Sequence, residues 1–139
     1  MKVYVASSWR NEVYPQVVEL LRSAGHEVYD FRHQSVSWEE FDWNVTQGVS
    51  SAELWDVLDH PAVRDRFHND MNALRDCDAV VCVLPCGRSA HLELGYGIGT
   101  GKRTVLLWHD GDEPDIMHIA VDRIVFSLAD IPQALKGAT

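Results

Sequence analysis

The stretch Ala79-Val80-Val81-Cys82-Val83-Leu84 decides the fold prediction, because it is an unbroken apolar run between polar segments. A Val-rich run of this length is typical of a strand buried on both faces of a parallel sheet. A helical pattern over residues 61–75 precedes it, and a Pro-Cys-Gly-Arg-Ser turn at 85–89 follows it. We therefore expect a central strand at 79–84 that lies between two helices in the chain.

Short apolar runs alternate with helical periods outward from this strand. The patterns predict further strands at 2–6, 27–31, 104–108 and 123–126, and helices at 11–23, 61–75, 90–100, 114–120 and 128–136. This alternation favours an α/β fold in which helices cover both faces of a parallel sheet. Five strands joined by right-handed crossovers predict a flavodoxin-like three-layer sandwich with the strand order 2-1-3-4-5.

One segment departs from the alternation. Residues 32–58 are rich in Trp, Ser and acidic side chains and have weak periodicity. We interpret them as a long excursion with one or two helical turns, of the kind that often forms a lid or a binding segment. The chain of 139 residues is long enough for one core, so residues 1–139 are predicted to form a single domain.

The charge balance limits the partners. The chain has 12 Lys and Arg against 21 Asp and Glu, a formal net charge of −9. Nucleic-acid polymers and anionic membranes favour clustered cations, so neither is expected as a partner, whereas a small molecule is compatible. No apolar run approaches a membrane span, and the run at the N-terminus is too short for a signal peptide.

The cysteines and histidines indicate neither a disulfide framework nor a metal site. Cys77, Cys82 and Cys86 are odd in number and lack zinc-clip spacing, which favours a reduced, cytoplasmic setting. The seven histidines form no HExxH motif. We expect no metal.

Ligands of such sheets bind beyond the carboxyl ends of the strands, beside the turns that follow strands 1 and 3. In the first turn, Ser7 and Ser8 are candidates either for a simple helix cap or for a ligand pocket completed by Arg10. Trp9 favours the pocket, since a Trp directly after a strand in a polar turn suits a stacking wall for a ring.

The second turn leads into a helix with Glu93 about one turn from its start, where the macrodipole favours a carboxylate. Glu93 is either an ordinary surface residue or, since its neighbours are apolar or small, a carboxylate that faces the crevice. Asp70 has two interpretations as well. It is a solvated acid or, on the helix face of Phe67 and Leu74, a partly buried group that needs partners.

Three segments resemble the nucleoside 2-deoxyribosyltransferase family, a flavodoxin-like group. They are Val3-Tyr4-Val5-Ala6-Ser7-Ser8-Trp9, residues 70–81, and Leu92-Glu93-Leu94-Gly95-Tyr96-Gly97 followed by Gly101-Lys102. The third segment is the most specific, and the resemblance extends over residues 3–108.

The resemblance implies that Glu93 is a nucleophile. It would attack C1′ of a (deoxy)nucleoside, expel the base and pass the sugar to another nucleobase, without a cofactor. Asp70 would supply a proton to the base or bind a sugar hydroxyl, and Tyr4 would stand beside the nucleophile. The aromatic walls around the base would come from Trp9, Trp38 and Trp43. The family also implies a homodimer or higher oligomer.

One position departs from the family pattern, which has an Asp six residues before the nucleophile where this chain has Gly87. Arg88 and Ser89 follow it and would form an anion nest with Ser7, Ser8 and Arg10. Such a nest would suit a 5′-phosphate, as in the related nucleoside 5′-monophosphate N-glycosidases, which hydrolyse their substrates. A non-catalytic nucleotide-binding or sensing module is the alternative of another class.

Overall fold

Strand β3 (Ala79–Val83) lies in the middle of a five-stranded sheet, and every one of its residues is buried. The computed structural model describes residues 1–33 and 47–137. Strands β1 (Lys2–Ala6) and β4 (Arg103–Leu107) pair with β3 on its two sides, and β2 (Glu27–Tyr29) and β5 (Arg123–Val125) form the edges. All pairings are parallel, which confirms the predicted order 2-1-3-4-5.

The helices follow the predicted alternation with shifted ends. They are α1 (Tyr14–Ser23), α2 (Leu54–Leu58), α3 (Pro61–Asp76), α4 (Arg88–Gly99) and α5 (Ile131–Leu135), with 3-10 turns at Ile116–Ala120 and Leu128–Asp130. Helix α2 belongs to the excursion predicted at 32–58, of which residues 34–46, with Trp38 and Trp43, lie outside the described residues. Within the described part of the chain, no helix is both long and apolar enough to cross a membrane.

Two apolar layers cover the sheet. One face carries alternate strand residues such as Val5 and Val81 against helices α1 and α5. The opposite face carries Tyr4, Val80 and Cys82 against helices α3 and α4. Because side chains alternate along a strand, this places Tyr4 on the side of the sheet that holds Asp70 and Glu93.

The turns after β1 and β3 are tied together through one carbonyl. The Val83 oxygen accepts hydrogen bonds from Ser7 Oγ at 2.9 Å and Asn11 Nδ2 at 3.3 Å. The same Asn11 amide donates to Pro85 O at 3.1 Å, while its Oδ1 accepts from Val13 N–H at 2.9 Å. These bonds from Ser7 and Asn11 to the carbonyls of Val83 and Pro85 form a clasp between the two turns. Because Asn11 belongs to this clasp, helix α1 begins at Tyr14 rather than at residue 11 as predicted.

Helix α4 approaches the sheet most closely at Gly97, and this contact gives a prediction. A Cβ there would lie 2.8 Å from Val80 Cγ2 and 3.4 Å from Thr104 Cγ2. We expect Gly97→Ala to lower the free energy of unfolding by about 1–3 kcal/mol, measured by urea denaturation. Gly95→Ala is the matched control in the same helix, since a Cβ at Gly95 meets nothing within 4 Å. It should be neutral or stabilising by up to about 1 kcal/mol, and equal losses at both positions would contradict the packing argument.

Candidate active site

A cavity of about 480 Å³ opens at the carboxyl ends of β1 and β3. Its walls come from the turns after β1 and β2 and from helices α3 and α4. They are formed by Ser7, Trp9, Phe31, Val63, Arg66, Phe67, Asp70, Ser89 and Glu93. The combination of aromatic walls with two carboxyls and one guanidinium suits a small polar molecule that carries a flat ring.

Glu93 is an acid of this cavity with a shifted pKa. Burial raises the pKa of its carboxyl to about 7, the nearby Tyr4 hydroxyl opposes this rise, and the negative charge of Asp70 adds to it. The side chain is partly buried and belongs to the first two turns of α4. A carboxyl with this pKa exchanges between its acid and carboxylate forms near neutral pH, as catalytic carboxyls often do.

Tyr4 lies beneath the cavity and is 0% exposed. Its hydroxyl is near Glu93 but makes no hydrogen bond of ordinary geometry with the described residues. Burial raises the pKa of Tyr4, and the negative charges of Glu93 and Asp70 raise it further, so the phenol stays protonated. Its ring stacks on Tyr29 with centroids 5.4 Å apart and an interplanar angle of 18°.

Asp70 and Arg66 project into the same cavity from adjacent turns of α3. Asp70 Oδ1 accepts a hydrogen bond from the Tyr29 hydroxyl at 2.9 Å. Arg66 is 7% exposed and donates from Nη2 to Phe31 O at 2.8 Å. Burial lowers the pKa of Arg66, and the negative charge of Asp70 counteracts this. Arg66 thus brings a fixed positive charge to the cavity beside the two carboxyls.

Aromatic side chains form the open side of the cavity. Trp9 is 48% exposed, its ring meets the edge of Phe31 at 5.3 Å, and Arg66 lies over it at 4.8 Å. Phe67 is 50% exposed on the facing helix. These half-exposed rings leave apolar faces available to a planar ligand group. Among residues 1–33 and 47–137, no set of three His, Cys, Asp or Glu side chains is arranged to hold a metal ion.

The structure brings only some of the predicted site residues together. Ser7, Trp9, Asp70, Ser89 and Glu93 line the cavity, with Tyr4 beneath it. The remaining described candidates, Ser8, Arg10, Gly87 and Arg88, are absent from its wall.

The four candidates that do not line the cavity lie in the turn after β1 and at the start of α4. Ser8 Oγ accepts a hydrogen bond from the Arg10 backbone N–H at 3.2 Å, so this bond lies within the turn. The side chains of Arg10 and Arg88 are exposed to solvent. Gly87 is the N-cap of α4 and carries no side chain, so no carboxylate stands at that position.

Sequence reasoning did not select Phe31, Val63, Arg66 and Phe67, which line the cavity, or Tyr29, whose hydroxyl donates to Asp70. Arg66 precedes Asp70 by four positions, and this helical spacing was a signal that both share one face. Only the strand register places Tyr29 near the cavity, because it pairs Tyr29 of β2 with Tyr4 of β1.

Three solved structures resemble this chain over nearly its whole length. A 2-deoxyribosyltransferase of the psychrotolerant bacterium Bacillus psychrosaccharolyticus superposes with a TM-score of 0.64 at 21% identity, covering 94% of this chain and 90% of that one. The CMP N-glycosidase BcmB of Clostridium botulinum gives 0.52 at 16% identity, covering 98% and 99%. A conserved protein of Enterococcus faecalis gives 0.62 at 14% identity, covering 98% and 97%.

The fold is shared with these proteins. At such identities the likeness establishes the architecture, and the chemistry must be argued from the side chains of this chain. No protein-family model matches the sequence, and no curated protein does.

The pKa of Glu93 predicts a pH-dependent stability. Because the folded pKa of about 7 lies above the unfolded value of 4.5, the folded state holds the extra proton between these pH values. Stability is therefore lost as the pH rises from 4.5 to 7, by up to about 3 kcal/mol. Glu93→Gln should remove this loss, so the stability of the variant relative to the wild type should increase as the pH rises. Urea unfolding at several pH values measures the difference in unfolding free energy between the variant and the wild type. A difference that does not change with pH would contradict the prediction.

Proposed function

We propose that this protein is an enzyme that cleaves the N-glycosidic bond of a small (deoxy)nucleoside and passes the sugar to another nucleobase. The observation that carries the proposal is a partly buried Glu93 carboxyl, with a pKa of about 7, in an aromatic-walled cavity. The shared fold with a 2-deoxyribosyltransferase and a CMP N-glycosidase supports the same class of reaction.

In the proposed first step, a Glu93 carboxylate oxygen forms a bond to C1′ of the sugar. The bond between C1′ and the base nitrogen breaks, and its electron pair leaves with the base. Positive charge develops on the sugar in the transition state, and an adjacent carboxylate both stabilises and captures it. A pKa of about 7 leaves a large share of Glu93 ionised at neutral pH, so the nucleophile is available.

The leaving base needs a proton, and Asp70 is the proposed group beside it. Asp70 lines the same cavity as Glu93, and the Tyr29 hydroxyl donates to its Oδ1, which fixes the carboxyl on the cavity wall. In this position it would pass a proton to the base or hold a sugar hydroxyl. The second half of the reaction returns the sugar from Glu93 to an incoming base nitrogen, and Glu93 becomes free again.

Hydrolysis of a nucleoside 5′-monophosphate is the second candidate, and two observations favour it. Ser7 and Ser89 line the cavity, and Ser89 lies in the first turn of α4, where unpaired N–H groups attract anions. Gly87 supplies no carboxylate that would hold a second base. In this case water would attack C1′ of the glycosyl-enzyme, and the products would be free base and sugar phosphate.

A product assay distinguishes the candidates. Deoxynucleosides with a foreign base should yield the exchanged nucleoside if the enzyme transfers the sugar. Release of base from a monophosphate, but not from the nucleoside, would assign hydrolysis instead. Ligand binding without any product would assign the non-catalytic sensor and overturn the proposed enzyme.

Glu93→Gln is the decisive variant in this assay. Loss of the nucleophile should lower turnover by at least about a thousandfold, and no glycosyl-enzyme should form. Mass spectrometry of trapped wild-type enzyme should show the sugar on Glu93. Asp65→Asn, an exposed position on α3 outside the cavity, is a matched control that should retain activity.

We also propose that the chain assembles into a homodimer or higher oligomer that covers the open side of the cavity. Trp9 and Phe67 are half exposed there, and Leu92, next to Glu93 in the chain, is 75% exposed. Sedimentation velocity should then give a mass at least twice the 15.7 kDa of one chain. Leu92→Glu should dissociate the assembly, whereas Ile116→Glu, at an apolar residue 82% exposed elsewhere, should not. A wild-type monomer would refute the assembly.

A further inference from the structure

A second cluster of reactive side chains lies on the other side of the α4 N-terminus. Cys86 Sγ is 3.5 Å from Cys82 Sγ and 3.5 Å from His91 Nδ1. Cys86 and His91 line a cavity of about 420 Å³ whose wall shares no residue with the cavity around Glu93. The proposed glycosidic chemistry uses none of these groups.

We propose that Cys86 and Cys82 form a reversible disulfide on reaction with a hydroperoxide, with Cys86 as the attacking thiol and Cys82 as the resolving thiol. This inference concerns thiol chemistry alone and does not depend on the proposed glycosidic reaction. A transient pair of this kind is the disulfide expected of a chain in a reducing compartment.

The environments of the two sulfurs assign their roles. Cys86 is partly buried on the cavity wall, where a small oxidant can reach it, whereas Cys82 is 0% exposed within β3. The hydrogen bond with the Cys82 thiol lowers the pKa of Cys86 and the charge of His91 lowers it further, while burial and the negative charge of Asp112 oppose this. The same contact raises the pKa of Cys82, so Cys82 keeps its proton. Thiolate character therefore concentrates on the accessible sulfur, as the attacking thiol requires.

A chain of histidines directs an N–H towards Cys86. The Asp115 backbone N–H donates to His118 Nδ1 at 3.2 Å, so a neutral His118 carries its proton on Nε2. That proton is donated to His91 Nε2 at 3.2 Å. The proton of His91 then lies on Nδ1, which faces both Gly87 O at 3.0 Å and Cys86 Sγ. Gly87 O and Cys86 Sγ share this Nδ1–H, so a neutral His91 can donate to the Cys86 thiolate, and a protonated His91 adds the positive charge that lowers the pKa of Cys86.

The proposed chemistry balances in two steps. The Cys86 thiolate attacks one oxygen of the hydroperoxide, the O–O bond breaks, and a sulfenic acid forms while hydroxide or alkoxide leaves and takes up a proton. Cys82 sulfur then attacks the Cys86 sulfur, the S–O bond breaks, and the Cys82 proton leaves with the hydroxyl as water. Two thiols are oxidised by two electrons, and the hydroperoxide is reduced.

The movement required is small. The sulfurs must approach by about 1.5 Å to reach disulfide distance. Cys86 belongs to the turn between β3 and α4, so its side chain can make this movement while Cys82 stays in the sheet. Cys77, the remaining cysteine, is buried and donates to Leu74 O at 3.2 Å, at the opposite end of β3. It is therefore a control thiol within the same chain.

The test is intact-mass spectrometry of the full chain after hydrogen peroxide treatment and alkylation. We expect loss of two hydrogen atoms, loss of two alkylatable thiols, and recovery of both by dithiothreitol. Trypsin cannot separate the three cysteines, since Arg75 and Arg88 bracket them all. The Cys77→Ser variant, which should still form the disulfide, is therefore used to locate it. Fragment ions from backbone cleavage between Cys82 and Cys86 then identify the linked residues.

Two further variants test the roles. Cys82→Ser should accumulate a dimedone-reactive sulfenic acid at Cys86, and His91→Asn should slow oxidation severalfold. Circular dichroism confirms that each variant folds, and the wild-type result stands independently of them. The proposal is overturned if peroxide leaves three free thiols, links Cys77, or drives Cys86 to sulfinic acid while Cys82 stays reduced.

Discussion

The parallel pairing of β1 with β3 is the constraint on which the cavity around Glu93 depends. Its register sets Tyr4 beside Val80 and Ala6 beside Cys82, so that the two strands end at the same edge of the sheet. The Val83 carbonyl then holds the turn after β1 through two hydrogen bonds. Because of this clasp, the side chains of Ser7 and Glu93, far apart in the chain, lie around one cavity.

Two carboxyls share that cavity, and their surroundings differ. Asp70 receives the Tyr29 hydroxyl and interacts with Arg66, both of which favour negative charge. Burial and the charge of Asp70 raise the pKa of Glu93, while the Tyr4 contact falls short of a hydrogen bond of ordinary geometry. Glu93 therefore combines a raised pKa with a partly buried position on the cavity wall. Paired carboxyls in unlike environments are a common basis for dividing acid, base and nucleophile roles.

Sequence reasoning was most successful where periodicity and burial act locally. The run at 79–84 is a central strand because a continuous apolar pattern fits burial on both faces, and the strand order followed from the alternation. Glu93 and Asp70, which the sequence selected, both lie on the wall of the cavity at this edge of the sheet, and their roles stay a prediction.

The rest depended on tertiary detail that no local pattern contains. Ser8 and Arg10 were predicted to bind an anion, and the structure adds that Ser8 Oγ accepts the Arg10 backbone N–H, a bond that no sequence pattern shows. Tyr29 joins the site through the register of β1 with β2, a long-range property of the sheet. Arg66 was hidden for a different reason: an Arg on a helix is usually solvated, and only the packing of α3 buries this one.

The start of α4 lies between the two cavities, and an electrostatic interaction acts across it. Ser89 and Glu93 face one cavity while Cys86 and His91 face the other, because residues two apart lie on different sides of a helix. The negative charge of Cys86 contributes to the raised pKa of Glu93. A Cys86 thiolate and the Glu93 carboxylate are like charges, so each disfavours the other across the start of the helix.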